Sequence, residues 1–190
     1  MSKKLWEASL RQKKNSLLWK YEQFVSKKFN KKFNGKYEDI LKWSIKDAGN
    51  FWSSIWDFSE IKGLKSKTKL KKSKIFYKNI FLPNSKLNFA ENLLPKNNKD
   101  KAITFISENG FREKRNWQEL NTNVNKVSIF LKNIKIKKKD RIAAYLPNSI
   151  ETVEAFIASS SLGAIWSSCS PDFGIKGVVE RFSQINPKVL

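Results

Sequence analysis

Residues 141–168 read RIAAYLPNSIETVEAFIASSSLGAIWSS, and this stretch decides the fold. Residues 141–146 have strand length and form a continuous apolar run after Arg141, which is typical of a strand buried on both faces of a parallel sheet. Residues 164–168 predict the next buried strand, and residues 149–162 predict the helix between them. Because parallel strands are joined by right-handed crossovers, the stretch predicts an α/β fold.

The downstream sequence continues this alternation of strand and helix. Residues 174–184 predict a further helix, and residues 187–190 predict the start of another strand. Asn148 and Glu151 have the spacing of a side-chain cap and a back-bonding acid, so they predict a helix start near residue 149. The inward-facing positions of the 174–184 helix are expected to be Val178, Val179, Phe182 and Ile185. Helices are therefore expected on both faces of a mainly parallel, doubly wound sheet.

A hairpin and a long helix are predicted just upstream. Residues 102–107 and 111–117 read as paired strands, because Asn-Gly at residues 109–110 is a strong turn signal between apolar runs. Asn116 and Glu119 then have the capping-box spacing and predict the helix start. The apolar face of this helix is predicted to be Leu120, Val124, Val127, Leu131 and Ile134.

The N-terminal part of the chain has helical periodicity. Amphipathic helices are predicted around residues 17–25, over residues 37–44 and over residues 47–58, and a short helix is predicted over residues 87–94 before Pro95. Aromatic and apolar residues recur at helical spacing in the third segment, namely Phe51, Trp52, Ile55 and Trp56. Such a stripe is more often core than a ligand site.

The predicted elements divide the chain into a helical region, residues 1–95, and an α/β region, residues 96–190. Only two or three parallel strands are expected in the α/β region, and so few would leave an unpaired edge and uncovered apolar faces. The sequence therefore predicts the incomplete start of a doubly wound sheet, in a fragment of a larger domain.

The formal net charge of +21 favours two different interpretations. Basic proteins often bind nucleic acid or another acidic surface, and the lysine-rich residues 62–78 are the candidate segment for that role. However, 33 of the 38 basic residues are lysine, which lacks the bidentate fork that arginine uses on phosphates and bases. We therefore expect residues 62–78 to form a solvated loop or linker and not a nucleic-acid-binding segment.

The composition narrows the possible chemistry. No histidine and only one cysteine are present, which excludes an internal disulfide and argues against zinc and most transition-metal sites. Cys169 has no histidine partner to lower its pKa, so we expect a buried small hydrophobe and not a nucleophile. No apolar segment has the length of a membrane span or the form of a signal peptide, and we expect a cytoplasmic protein.

Four segments together resemble the acetoacetate-CoA ligase branch of the adenylate-forming acyl-CoA synthetases. They are LKWSIKDAGNFWSSIWDF (residues 41–58), LPNSKLNFAENLL (residues 82–94), residues 137–174 and VVERFSQINPKVL (residues 178–190). The stretch SLGAIWSSCSPDFG at residues 161–174 is specific to this branch, and the resemblance extends over nearly all of the chain from about residue 6.

The resemblance implies an acid–thiol ligase that uses ATP, CoA and Mg²⁺, with acetoacetate as the substrate. It also implies that residues 1–95 form a helical cap and that residues 96–190 begin the AMP-binding large domain. The family's phosphate-binding loop, adenine-binding segment, ribose-binding aspartate and C-terminal lysine have no counterpart before Leu190, so no catalytic residue is expected here and the fragment alone is expected to be inactive.

The resemblance also implies candidate binding residues in the turn after the second parallel strand. The Gly-rich turn that lines the CoA tunnel in related acetyl-CoA ligases falls on Ser170, Pro171 and Asp172, where proline and aspartate replace glycines. Alternatively, Ser170 or Asp172 caps the next helix. Trp166 is expected to be a core or pocket-wall aromatic and not a catalytic group, and it is the candidate for the acyl pocket.

Overall fold

The computed structural model describes residues 5–190. The chain forms two compact units, the first ending at Lys86 and the second spanning Leu87–Leu190. The first unit contains, in chain order, α1 (Leu10–Asn15), α2 (Leu17–Phe29), α3 (Tyr37–Lys46), α4 (Ala48–Phe58), β1 (Leu70–Lys71) and β2 (Ile80–Phe81). The second contains α5 (Phe89–Leu93), β3 (Lys101–Ile106), β4 (Arg112–Asn116), α6 (Trp117–Asn133), β5 (Arg141–Tyr145), α7 (Ile150–Ser161), β6 (Ile165–Cys169) and α8 (Ile175–Ser183).

Aromatic side chains form the core of the first unit. Val25 and Trp43 are buried where α2, α3 and α4 meet. The Tyr21 ring meets Phe51 nearly edge-on at 6.1 Å between centroids, and its hydroxyl hydrogen-bonds to the buried Ser54 at 2.7 Å. The predicted helices are confirmed, and Phe51 and Ile55 of the α4 stripe pack against this core. Trp56 is also buried, whereas Trp52 is 45% exposed. The first four residues of the predicted N-terminal segment lie outside the described residues.

The lysine-rich segment is a folded hairpin, so the prediction of a loop or linker is wrong in part. β1 pairs antiparallel with β2, and Leu64 bridges Lys86 in the same sense. Lys65 Nζ donates to Asp57 Oδ1 at 2.6 Å and to the carbonyl oxygen of Ser53 at 2.8 Å. The sequence of this segment gave no strand signal, because few apolar residues alternate in it and its contacts with α4 are tertiary.

Asp57 is the carboxylate that ties this hairpin to the helices. Lys28 also bonds to it, so two ammonium groups share one carboxylate. Burial alone would raise the pKa of Asp57, but the hydrogen bonds and charges of Lys28 and Lys65 outweigh burial and hold the pKa below its usual value. The ion pairs of Asp57 therefore stabilise the folded protein fully above the ordinary carboxylate pKa. This stabilisation is lost as the pH falls through the lowered pKa of Asp57 in the folded protein.

Asp57→Asn should lower the free energy of unfolding by about 1 kcal/mol near neutral pH, because it removes the charge shared by Lys28 and Lys65. Urea unfolding at a series of pH values measures this effect. The difference from the native chain should shrink below about pH 4 and vanish below the depressed pKa. Glu60→Gln removes an exposed carboxylate as a control and should have little effect. A deficit for Asp57→Asn that does not change with pH would contradict the ion-pair explanation.

The β3–β4 hairpin of the second unit confirms the turn predicted at residues 109–110. Gly110 has φ +82° and its amide donates to the carbonyl of Ser107 at 3.0 Å, which closes a four-residue turn. Asn109 does not have a positive φ, so the turn is a type I turn followed by a left-handed glycine. Asn116 and Glu119 form the predicted capping box at the start of α6.

β5 is the central strand of the parallel sheet. It pairs with β6 in parallel register from Arg141 opposite Ile165 to Tyr145 opposite Cys169. On its other edge Ile142 makes a parallel bridge to Val189, so the strand predicted at residues 187–190 begins as expected. Lys188 pairs with Asp140 at 2.9 Å, and this hydrogen bond lowers the pKa of Asp140, with the amide of Lys137 adding to the effect.

Helices cover both faces of this sheet, as predicted for a doubly wound fold. On one face Ile142 packs with Leu131 of α6 and Ile157 of α7. On the other, Ala143 and Cys169 pack against Phe182 of α8. Cys169 is buried, as expected for a small hydrophobe.

The N-terminus of α7 differs from the prediction. Ser149, and not Asn148, is the N-cap residue, and its side chain accepts a hydrogen bond from the amide of Thr152 at 3.4 Å. Both residues are good caps with an acceptor-type neighbour downstream, so spacing alone did not choose between them. The extended backbone at Ser149 (φ −105°, ψ 173°) decides the cap.

A buried ion-pair network joins the hairpin to α7. Arg115 of β4 lies 3.4 Å from Glu154, whose side chain is only 7% exposed, and 2.6 Å from Glu113. Asn123 of α6 donates to the same Glu154 oxygen at 2.8 Å. The hydrogen bond to Glu113 raises the pKa of Arg115, burial opposes that rise, and the charges of Glu154 and Glu151 reinforce it. The network fixes α7, the crossover helix between β5 and β6.

Candidate functional site

The strand order places a candidate site at the carboxyl end of β5. The chain passes from β5 through α7 to β6 on one side, then returns through α8 to Val189 on the other. The two crossovers therefore run in opposite directions along the sheet. In open α/β sheets, ligands bind outside the carboxyl ends of the strands at such a switch point.

Ser170, Pro171 and Asp172 lie in an exposed turn at this end of the sheet, between β6 and α8. Ser170 Oγ donates to Asp172 Oδ2 at 2.6 Å, and the Phe173 amide donates to the Ser170 carbonyl at 3.1 Å. None of the three has a positive φ, so this turn has no position that demands glycine.

The alternative that Ser170 or Asp172 caps α8 is wrong. The N-cap of α8 is Gly174, which makes no side-chain cap hydrogen bond. The serine hydroxyl and the aspartate carboxylate bond within the turn instead, because Gly174 follows Phe173 in extended conformation and carries the helix start past them.

Tyr145 at the end of β5 holds this turn. Its hydroxyl lies 2.8 Å from the carbonyl oxygen of Pro171 and 2.9 Å from that of Phe173. A phenol has one proton, so the hydroxyl donates to one carbonyl at a time and both lie within reach. The tyrosine therefore couples the end of the central strand to the turn after the neighbouring strand.

A polar cavity of about 510 Å³ lies beside β6 and α8. Ser167 and Ser168 line it from the strand, and Glu180, Arg181 and Gln184 line it from the helix. The guanidinium of Arg181 sits 4.3 Å from the centre of the Phe173 ring, which is a cation–π distance. A cation thus stands next to the turn on the α8 face of the sheet.

Trp166 lies on the other face of the sheet. It contacts Phe156 of α7 at 6.2 Å between ring centroids and lines an apolar cavity of about 520 Å³. Strand side chains alternate between faces, so Trp166 points away from the face that Cys169 shares with α8. The structure therefore does not bring Trp166 together with the 170–172 turn.

The described residues offer no resident metal site. Within residues 5–190 no group of three or more histidine, cysteine, aspartate or glutamate side chains is arranged to hold a metal ion. Nor does this part of the sequence carry a glycine-rich phosphate loop with a lysine.

Sequence patterns missed two residues of this site. Tyr145 falls in the apolar run of β5, where it reads as one more buried residue, yet it is 43% exposed and its hydroxyl is bonded. A tyrosine at the last position of a strand is the available signal, because its hydroxyl needs a partner. The sequence places Arg181 on the polar face of α8. Its cation–π contact with Phe173 becomes visible only in the folded structure.

None of the described helices has the length and apolar character needed to cross a membrane.

Tyr145→Phe should loosen the 170–173 turn while keeping the ring in place, because it removes only the donated hydrogen bond. Amide exchange at Phe173 should become about fivefold faster, as expected for the loss of roughly 1 kcal/mol. Tyr77→Phe, at a tyrosine that is 80% exposed, is the matched control and should leave this amide unchanged. Unchanged exchange in Tyr145→Phe would show that the hydroxyl does not hold the turn.

Comparison with known proteins identifies the family. The model of the AMP-binding enzyme family matches residues 93–190. The acetoacetyl-CoA synthetase of Rattus norvegicus is 38% identical over 160 residues, which is 82% of this chain and 24% of the relative. The malonamoyl-CoA synthetase vrtB of Penicillium aethiopicum is 34% identical over 98% of this chain and 26% of its own length.

The fold of a solved structure also matches. Acetoacetyl-CoA synthetase from Streptomyces lividans superimposes with a TM-score of 0.90 at 23% identity, covering 98% of this chain and 29% of the larger one. The chain thus spans about a quarter of the length of the curated relatives it matches. Since the family model covers more than half of the chain and the α/β unit has the expected doubly wound start, this protein belongs to the family of AMP-binding enzymes.

Proposed function

We propose that this chain is the N-terminal portion of an ATP-dependent acetoacetate-CoA ligase. The identity of 38% to an acetoacetyl-CoA synthetase over 82% of the chain carries the proposal. In the first step a carboxylate oxygen of acetoacetate attacks the α-phosphorus of ATP, and pyrophosphate leaves. In the second, the CoA sulfur attacks the acyl carbonyl carbon, AMP leaves, and the thiol proton passes to solvent or a base.

Under this proposal the chain supplies scaffold and a part of the CoA path. Mg²⁺ would neutralise charge on the triphosphate. Residues 1–95 would form the helical cap and residues 96–190 the first part of the AMP-binding domain. Along the chain, the first compact unit ends at Lys86 and the second begins at Leu87, which is close to this proposed division. The location is proposed to be cytoplasmic, in keeping with the single free thiol of Cys169.

Malonamate is a second candidate substrate, because one relative of nearly equal identity is a malonamoyl-CoA synthetase. Malonamate and acetoacetate differ only in the group bonded to the 3-carbonyl, which is NH₂ in malonamate and CH₃ in acetoacetate. A pocket that accepts hydrogen bonds from the NH₂ group discriminates strongly against a methyl group, whereas an apolar pocket discriminates only weakly against the NH₂ group. Trp166, which lines the apolar cavity, is proposed as a wall of the acyl pocket and favours the methyl group.

The full-length protein should release pyrophosphate from ATP with acetoacetate at least about tenfold faster than with malonamate, acetate or propionate at limiting substrate. A coupled pyrophosphate assay measures these rates, and a reaction without carboxylate gives the background. Faster turnover of malonamate would assign the relative's substrate to this protein. A preference for acetate would reject both candidate acids.

The turn of Ser170, Pro171 and Asp172 is proposed to line the path of the CoA thiol. It is exposed, it lies at the carboxyl end of β6, and Tyr145 holds it in one position. Pro171 and Asp172 restrict the backbone more than glycines would, so CoA would meet side chains and not bare backbone there.

Ser170→Trp should place a ring in this path and slow thioester formation about tenfold or more, since small displacements of reacting groups cost that much. ATP–pyrophosphate exchange with acetoacetate should stay near the native rate, because it needs no CoA. Ser170→Ala, which removes the bond to Asp172 without adding bulk, is the control and should retain most of the CoA-dependent rate. Equal loss of both half-reactions in Ser170→Trp would place the turn outside the CoA path.

A further inference from the structure

The proposed ligase function leaves the tip of the lysine-rich hairpin unexplained. The tip, residues 71–78, has the sequence KKSKIFYK, and every residue in it is exposed. Phe76 is 88% exposed and Tyr77 is 80% exposed, which is far more than aromatic side chains usually are. Both lie in a single 3₁₀ turn between β1 and β2.

The tip combines apolar and positively charged side chains and has no acidic ones. Lys71, Lys72, Lys74 and Lys78 flank Ile75, Phe76 and Tyr77. Lysines are rarely buried without a partner, so a protein surface that covered the aromatic rings would also have to accommodate four ammonium groups. An interface between water and lipid accommodates both kinds of side chain, because aromatic rings sit among the headgroups while lysine stems extend toward the phosphates.

The surrounding charge favours an anionic partner. Residues 1–86 contain 22 basic and 7 acidic residues, a net charge of +15 out of +21 for the whole chain. Residues 62–86 contain nine lysines and no aspartate or glutamate. Each lysine near an anionic membrane surface contributes attraction that falls off within a Debye length. The exposed rings of Phe76 and Tyr77 therefore lie in a segment that has nine positive and no negative side chains.

The hairpin is anchored well enough to present its tip. The amide of Ser73 donates to Asn79 Oδ1 at 2.8 Å across the base of the tip. Below it, Phe81 of β2 packs against Trp52 at 5.8 Å between ring centroids. Together with the bond between Lys65 and Asp57, these contacts leave the aromatic turn as the protruding element.

We propose that the tip binds anionic lipid bilayers peripherally, with Phe76 and Tyr77 in the headgroup region and the four lysines among the lipid phosphates. This inference goes beyond the proposed ligase activity and does not depend on it. A lipid surface fits better than nucleic acid, because residues 62–86 contain no arginine and the aliphatic Ile75 accompanies the rings. The aromatic side chains also stand on a protruding turn and not in a groove that tracks a strand.

Vesicle sedimentation with the full-length protein tests the proposal. The protein should bind vesicles that contain about 30% phosphatidylserine in phosphatidylcholine, should bind pure phosphatidylcholine weakly, and should dissociate as salt is raised. Replacing Lys71, Lys72, Lys74 and Lys78 with glutamine should weaken binding at least about 100-fold. Phe76→Ser with Tyr77→Ser, which keeps all four charges, should weaken it about tenfold or more.

Matched variants separate the tip from the overall charge. Replacing Lys27, Lys31, Lys32 and Lys36 with glutamine removes the same charge from exposed sites on and after α2, and should weaken binding far less than the tip variant. Tyr37→Ser is the control for an exposed ring elsewhere in the unit. Equal losses in tip and control variants would overturn the proposal in favour of general electrostatics. Absence of vesicle binding, or binding to single-stranded RNA alone that the tip variants abolish, would also overturn it.

Discussion

The burial of β5 on all four sides is the constraint on which the α/β unit depends. β6 and Val189 occupy its two edges, while α6 and α7 cover one face and α8 covers the other. Ile142, Ala143 and Ala144 are almost fully buried as a result. The two alanines let elements on both faces approach closely, and the apolar run satisfies its backbone groups through the neighbouring strands. A strand in this position constrains the paths of both crossovers, and hence the position of the turn after β6.

Polar contacts at the two ends of the crossover complete this arrangement. At the amino end of α7, the carboxylate of Glu154 is buried and needs both Arg115 and Asn123, so the helix is held by the hairpin and by α6. The loss of Arg115 would be costly, because it would leave the buried carboxylate of Glu154 without a cationic partner. At the carboxyl end of β5, Tyr145 bonds to the turn after β6. The site is therefore positioned by side chains that are not themselves expected to contact the reacting groups.

The sequence predicts those features of the fold and the candidate site that depend on residues close together in the chain. It does not predict features that depend on tertiary contacts. The strands, helices and capping box of the second unit were predictable, because periodicity and short spacing report local structure and continuous burial. The N-cap of α7 was missed, since Asn148 and Ser149 are both favoured N-cap residues and only the backbone conformation distinguishes them. Tyr145 and Arg181 were missed because their partners, in the turn after β6, come from the three-dimensional arrangement. The hairpin at residues 70–81 was missed for the same reason, since its anchors lie in α4.

The lysines of the first unit fall into two physical classes, although composition makes them look alike. Lys28 and Lys65 share Asp57, and Lys69 donates to Asn50 at 2.6 Å, so these ammonium groups stabilise the attachment of the hairpin to the helices. The lysines of the tip are exposed and surround exposed rings. A general compositional bias toward lysine would place charged side chains on any solvated surface. It would not explain why the exposed rings of Phe76 and Tyr77 lie within the lysine-rich segment. The pairing of charge with exposed apolar surface, and not the net charge itself, is what distinguishes an interaction surface from a solvated one.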